Sequence, residues 1–139
     1  MTKIAVFASG NGSNFEKIME NIEAGYLDHI EVTALYTDNP NAFCIERARR
    51  FNLPVYIIDP RTYDNKKDYE EALLTKLSQD RVSWIILAGY MKIVGPTLLK
   101  QYEGKMLNIH PSILPSFPGK DAVGQALDYG VRVTGATVH

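Results

Sequence analysis

The chain has a single cysteine, Cys44, among its 139 residues. An internal disulfide and a cysteine-based metal cluster are thereby excluded, and a reducing compartment suits the chain. Cys44 itself reads as a small core residue on a helix. An excess of charge of either sign is missing too: fifteen basic residues against sixteen acidic ones leave a formal net charge of −1. Nothing electrostatic favours nucleic acid or an anionic membrane as the main partner, so basic groups must act locally, on small molecules. Long apolar runs are also absent. The stretch from Ile4 to Ala8 is too short for a signal peptide core, and no segment could span a bilayer. The three histidines never occur as H-x-x-x-H or H-E-x-x-H, so no metal is expected. A cytoplasmic location follows as the default; the sequence sets no oligomeric state.

What is present is enough apolar material for one core. With 45% hydrophobic and 22% charged residues, positions 1–139 read as a single domain without repeats or linkers. K-I-A-V-F-A from Lys3 is a buried strand, and Phe15, Ile18, Met19 and Ile22 then recur at helical spacing up to Gly25. A second strand starts at Ile30, a helix runs from about Asn41 to Arg50, and V-Y-I-I after Pro54 is a short strand. A helix beginning at Lys66 and Lys67 places Tyr69, Leu73 and Leu77 on one face; W-I-I-L-A follows as a strand ending at Gly89. Pro96 opens a short helix, 105–110 is a fifth strand, 121–129 a helix closed by Gly130, and 131–139 a last strand. Apolar strands without two-residue alternation, separated by helices, predict an α/β fold with a doubly wound, mostly parallel, Rossmann-like sheet.

In such sheets ligands sit outside the carboxyl ends of the strands, near the switch in strand order. S-G-N-G-S-N (9–14), T-D-N-P (37–40), A-G-Y-M-K (88–92) and N-I-H-P-S (108–112) stand there. Gly10 and Gly12 allow a tight turn, and Ser13 and Asn14 add donors where a helix begins, a setting that attracts phosphate. Phe15 replaces the third glycine of the dinucleotide fingerprint, and the Walker pattern is absent, so a monophosphate fits better than a pyrophosphate. Alternatively, Ser13 or Asn14 is only a helix cap. Asp38 reads either as a ribose ligand or as a turn former beside Asn39-Pro40.

In K-M-L-N-I-H-P-S, alternation puts Leu107 and Ile109 on one face and Asn108 and His110 on the other. An unsatisfied buried polar group costs roughly 1–3 kcal/mol, so this pair needs partners or a chemical task. An amide donor next to a histidine suits acyl or one-carbon transfer: Asn108 donates to a developing oxyanion and His110 moves a proton. The plainer reading is a satisfied core histidine. Prolines 111, 115 and 118 stiffen the loop beyond and weigh toward function. A serine-hydrolase reading fails for want of a G-x-S-x-G elbow. Met91 and Ile93 read as core, or as a surface for a flat heteroaromatic ligand. Lys66 and Lys67, at a helix start where cations are disfavoured, read as a solvated face or as contacts to an anionic ligand.

In this order, F-A-S-G-N-G-S-N, A-G-Y-M-K-I-V, L-N-I-H-P-S-I-L-P and P-G-K-D-A-V-G-Q-A-L resemble the glycinamide ribonucleotide formyltransferase family of purine biosynthesis, and the resemblance spans the whole chain. It implies transfer of a formyl group from 10-formyltetrahydrofolate, as co-substrate, to the amine of 5′-phosphoribosylglycinamide, without metal. It implies that Gly12, Ser13 and Asn14 hold the substrate phosphate, that Met91, Lys92, Ile93 and Val94 line the folate pocket together with Lys66 and Asn108, and that Asn108 and His110 are catalytic. Lys66 falls where the family commonly has an arginine, so bidentate geometry would be lost. Family members continue past the position of His139 into a glycine-rich loop with an essential aspartate, the partner that would raise the pKa of His110, and a helical segment. The resemblance therefore implies a C-terminally incomplete domain, inactive or nearly so as these 139 residues, with apolar surface exposed. Asp121 stands where many relatives carry histidine and is not promoted to catalyst. The alternatives are a related formyltransferase with another amine acceptor, such as methionyl-tRNA or a sugar nucleotide, and a non-catalytic nucleotide- or folate-binding module.

Overall fold

A computed structural model of the chain describes residues 1–110 and 137–138. Its strands are β1 (Thr2–Phe7), β2 (Ile30–Thr37), β3 (Val55–Ile57), β4 (Trp84–Ala88), β5 (Met106–His110) and β6 (Thr137–Val138). The helices are α1 (Ser13–Glu23), α2 (Cys44–Arg50), α3 (Lys66–Gln79) and α4 (Pro96–Tyr102), and Pro60–Thr62 forms a single 3₁₀ turn. The sheet order is β3-β2-β1-β4-β5-β6. β1 to β5 pair in parallel, and β6 lies antiparallel to β5, with His110 opposite Thr137. This is the doubly wound, mostly parallel sheet that the alternation of strands and helices predicts.

Alternate residues of β1 feed two cores. Ala5 and Phe7 pack with Tyr36, Tyr69, Leu73, Leu77, Ile85 and Leu98 on the α3/α4 side. Ile4 and Val6 pack with Phe15, Met19, Leu35, Cys44 and Ala48 on the α1/α2 side. Fully burying one such side chain stabilises the fold by about 1.5–3 kcal/mol, so both layers of helices are fastened mainly through β1 and β2. Phe7 and Tyr36 stack with ring centroids 4.9 Å apart. Register between β1 and β2 shifts after Ile4, and the extra residue, Thr33, donates its hydroxyl to the Ile4 carbonyl at 3.3 Å.

Two expectations need correction. α2 begins at Cys44 rather than near Asn41, because Asn39 organises a turn first: its side-chain oxygen accepts from the Asn41 N–H at 3.0 Å and its carbonyl from Ala42 at 3.2 Å. β5 also lacks the clean division into apolar and polar faces. Leu107 is 37% exposed, whereas Met106, on the Asn108 face, packs against the α3/α4 core. Ile109 alone anchors its face, against the α1/α2 core. The helix expected at 121–129 with Gly130, the prolines at 111, 115 and 118, Asp121 and most of the strand expected at 131–139 lie outside the described residues.

Candidate active site

β1 and β4 are neighbours, but the chain leaves them toward opposite edges of the sheet, so their loops part and leave a crevice. Ser9 is its hinge point. The Ser9 N–H donates to the Gly89 carbonyl at 3.1 Å, and its buried hydroxyl accepts from the Met91 N–H at 2.8 Å. The loops singled out in the sequence, 9–14 and 88–92, are therefore joined directly.

On the first wall, Gly12 caps α1 in the left-handed region, with φ of 79° and no side-chain hydrogen bond. A Cβ there would lie 2.6 Å from Cys44 Cβ, whereas one on Gly10 would meet nothing within 4 Å. Of the two glycines only Gly12 is dictated by geometry. Ser13 and Asn14 are the first two residues of α1, both exposed, so neither is its cap. With no side-chain acceptor at the cap, the helix start is open to an anion.

On the second wall, Met91 is 51% and Ile93 81% exposed. The core reading of these two is overturned, because Gly89 and the loop after it lift them off the sheet. Lys66, Lys92 and Ile93 line a cleft of about 360 Å³ with Tyr63, Asn65 and Tyr69. Met91 and Lys92 line a neighbouring recess of about 420 Å³ with Ser9, Asp38, Asp59 and Arg61. Val94 packs against the α3/α4 core instead of standing free. Beneath this wall the hydroxyls of Tyr69 and Tyr90 share a hydrogen bond. Burial, above all, pushes the Tyr69 phenol up to about 12, and burial with the Tyr69 bond pushes Tyr90 higher. Asp59 is held below the usual carboxylate range by its hydrogen bonds from Arg61.

Beyond, β5 pairs with β4 so that Asn108 stands opposite Leu87, half-buried, and His110 ends the strand. The crevice thus gathers the ends of β1, β4 and β5. A larger cavity of about 560 Å³, lined by residues such as Leu77, Arg81, Ser83 and Lys105, lies at the other end of the strands, away from this chemistry.

The profile of the formyl transferase family matches residues 2–139. The chain belongs to that family. A phosphoribosylglycinamide formyltransferase of Bacillus subtilis is 50% identical over 139 residues, covering 100% of this chain and 71% of the relative. The human trifunctional purine biosynthetic protein adenosine-3 is 34% identical over 137 residues, 99% of this chain and 14% of that protein. Among solved structures, glycinamide ribonucleotide transformylase 1 from Geobacillus kaustophilus superposes with a TM-score of 0.95 at 50% identity, covering 100% of this chain and 73% of that one.

Formyl transferase membership fits the crevice, but several of its residues carry no signal in the sequence. Glu70, on α3, is 2% exposed and accepts from the Gly95 N–H at 2.7 Å and the Leu98 N–H at 3.2 Å, capping α4. Arg47, on α2, grips Asn11 and Glu16. Asp38 is no turn former: Thr37 and Asn39 build that turn, and Asp38 Oδ1 is buried without a hydrogen-bond partner among the described residues.

Proposed function

We propose that the protein transfers a formyl group from 10-formyltetrahydrofolate to the amine of 5′-phosphoribosylglycinamide, a step of purine (IMP) biosynthesis, in the cytoplasm. The observation that carries this is the 50% identity over all 139 residues with the Bacillus subtilis phosphoribosylglycinamide formyltransferase. The geometry is in keeping with it. Gly12, Ser13 and Asn14 would hold the ribonucleotide phosphate at the open start of α1. A folate is a flat heteroaromatic with an acidic tail. A cleft offering Tyr63, Tyr69 and Ile93 as apolar surface, and Lys66 and Lys92 as two cations against the single carboxylate of Asp64, suits such a molecule. Met91, exposed at the crevice, and Val94, beneath it, would complete that wall.

The folate supplies a formyl carbon bound to nitrogen. As the substrate amine bonds to that carbon, negative charge develops on the formyl oxygen, and Asn108 and His110 would stabilise it; loss of one such donor costs roughly 2.7–4 kcal/mol of barrier. The carbon–nitrogen bond to the folate then breaks; the attacking nitrogen gives up one proton and the departing nitrogen gains one, and His110 would deliver the latter and be reprotonated by the former. No metal enters this scheme, and both partners of the reaction are small molecules.

The test is calorimetric titration with the ribonucleotide and with a folate analogue, followed by a formyl transfer assay on the protein as its gene encodes it. Binding of both ligands and turnover are expected, with His110→Ala abolishing transfer while sparing phosphate-dependent binding. Transfer retained in His110→Ala would remove His110 from its role. Binding of both ligands without transfer would leave a binding module, and binding of neither would overturn the proposal.

A further inference from the structure

We infer that Arg47, on α2, is a positioning residue for the phosphate loop, acting through the backbone of Asn11 and by offsetting the charge of Glu16. The inference rests on the phosphate reading above, and its test separates the two. The Arg47 side chain is only 16% exposed. Its Nε donates to the Asn11 carbonyl at 2.7 Å, one terminal nitrogen donates to the Asn11 side-chain oxygen, and the other to the Glu16 carboxylate. The guanidinium also lies over the Phe43 ring, 5.0 Å from its centroid, which limits its rotation. A planar fork of donors can satisfy three acceptors in one fixed geometry; a lysine ammonium cannot do so with the same spacing.

The direction of these contacts matters. α2 grips the loop by its carbonyls: Arg47 takes that of Asn11, and the Cys44 N–H takes that of Gly10 at 3.0 Å. In a trans peptide the N–H after a carbonyl points the opposite way. Turning the Gly10 and Asn11 carbonyls toward α2 therefore turns the Asn11 and Gly12 N–H groups away from it, and leaves them as donors for a ligand at the start of α1. Cys44 Cβ, on the same helix, occupies the space a side chain at Gly12 would need.

The electrostatic part follows from Glu16. A carboxylate in the first turn of α1 is favourable for the bare helix but would repel a phosphate dianion at the same end. Arg47 pairs with one oxygen of Glu16, and Arg50 Nη1 lies 3.8 Å from the other. The first turn thus presents N–H groups without a net negative charge beside them.

The test compares Arg47→Met, Arg47→Lys and Glu16→Gln with the unaltered chain by calorimetry, using 5′-phosphoribosylglycinamide, its dephosphorylated nucleoside and a folate analogue. Loss of a charge-assisted contact predicts an affinity for the phosphorylated ligand about ten- to a hundredfold weaker in Arg47→Met. The nucleoside and the folate analogue should change by less than about twofold, the latter serving as the control for folding. Arg47→Lys should recover only part of the loss, and Glu16→Gln should bind the ribonucleotide at least as well as the unaltered chain. An equal loss for phosphorylated and dephosphorylated ligands, full recovery by Arg47→Lys, or no loss in either Arg47 variant overturns the inference. If the unaltered chain binds the nucleoside and the ribonucleotide equally, the phosphate reading itself falls.

Discussion

The loop after β1 and the loop after β4 lie side by side, yet they are braced by opposite charges that grip opposite ends of the peptide unit. Arg47 and the Cys44 N–H hold the first by its carbonyls. Glu70 holds the second by the N–H groups of Gly95 and Leu98, at the start of α4. On the proposed function, that difference would set what each wall binds. A cationic brace leaves backbone donors unspent, so the first wall suits an anion. A carboxylate brace consumes the donors of its helix start, so the second wall offers side chains instead, Met91 and Ile93 among them.

The contrast can be broken most sharply at Gly12. Gly12→Ala must adopt a left-handed backbone and push against Cys44, at a cost of roughly 3–5 kcal/mol in stability, whereas Gly10→Ala, in open space, should change it by less than about 0.5 kcal/mol. Denaturant unfolding of the two variants checks this; a milder effect at 12 than at 10 would remove the fixed loop on which the first wall depends. Next in size is Glu70→Ala, which leaves two N–H groups at α4 without an acceptor and should cost about 2–4 kcal/mol. Its affinity for the folate analogue should fall while that for inorganic phosphate stays, and a fall in both would deny that the braces act separately.

The walls should also part company in alkali. Tyr69 has its phenol raised from an ordinary 10.0 to about 12, so the stability it confers is present in full below pH 10 and is lost as pH rises through 12. Denaturant midpoints measured across that window should decline, and the decline should flatten in a Tyr69→Phe, Tyr90→Phe double variant. An unchanged slope would detach the tyrosine pair from the second wall. The smallest effect belongs to the core beneath the loops: Tyr36 buries a hydroxyl without a partner among the described residues, so Tyr36→Phe should be neutral or stabilising, within about 1 kcal/mol.

The elements were legible where local pattern and tertiary role agree. Phe15 and Met19, or Tyr69, Leu73 and Leu77, announce a helix face because the same residues fill the core. The glycines at 10 and 12 marked a turn, but only the neighbouring Cys44 shows which of them is required. Side chains whose partners are distant in sequence left no trace: nothing local marks Arg47 or Glu70, because their partners lie 36 and 25 positions away in Asn11 and Gly95. Met91 and Ile93 misled in the other direction, since apolar residues suggest burial and these serve a surface. The roles of Asn108 and His110 rest on residue chemistry and resemblance, and the titrations and His110→Ala assay address them.

Ser9 has a consequence in time as well as in space. Its hydroxyl meets the Met91 N–H across 82 positions of sequence, through the pairing of β1 with β4. A contact of that span closes only after most of the intervening chain is in place, so neither wall is complete early in folding. A ligand that touches both walls recognises only chain that has passed this step, and by mass action it draws the remaining population through it.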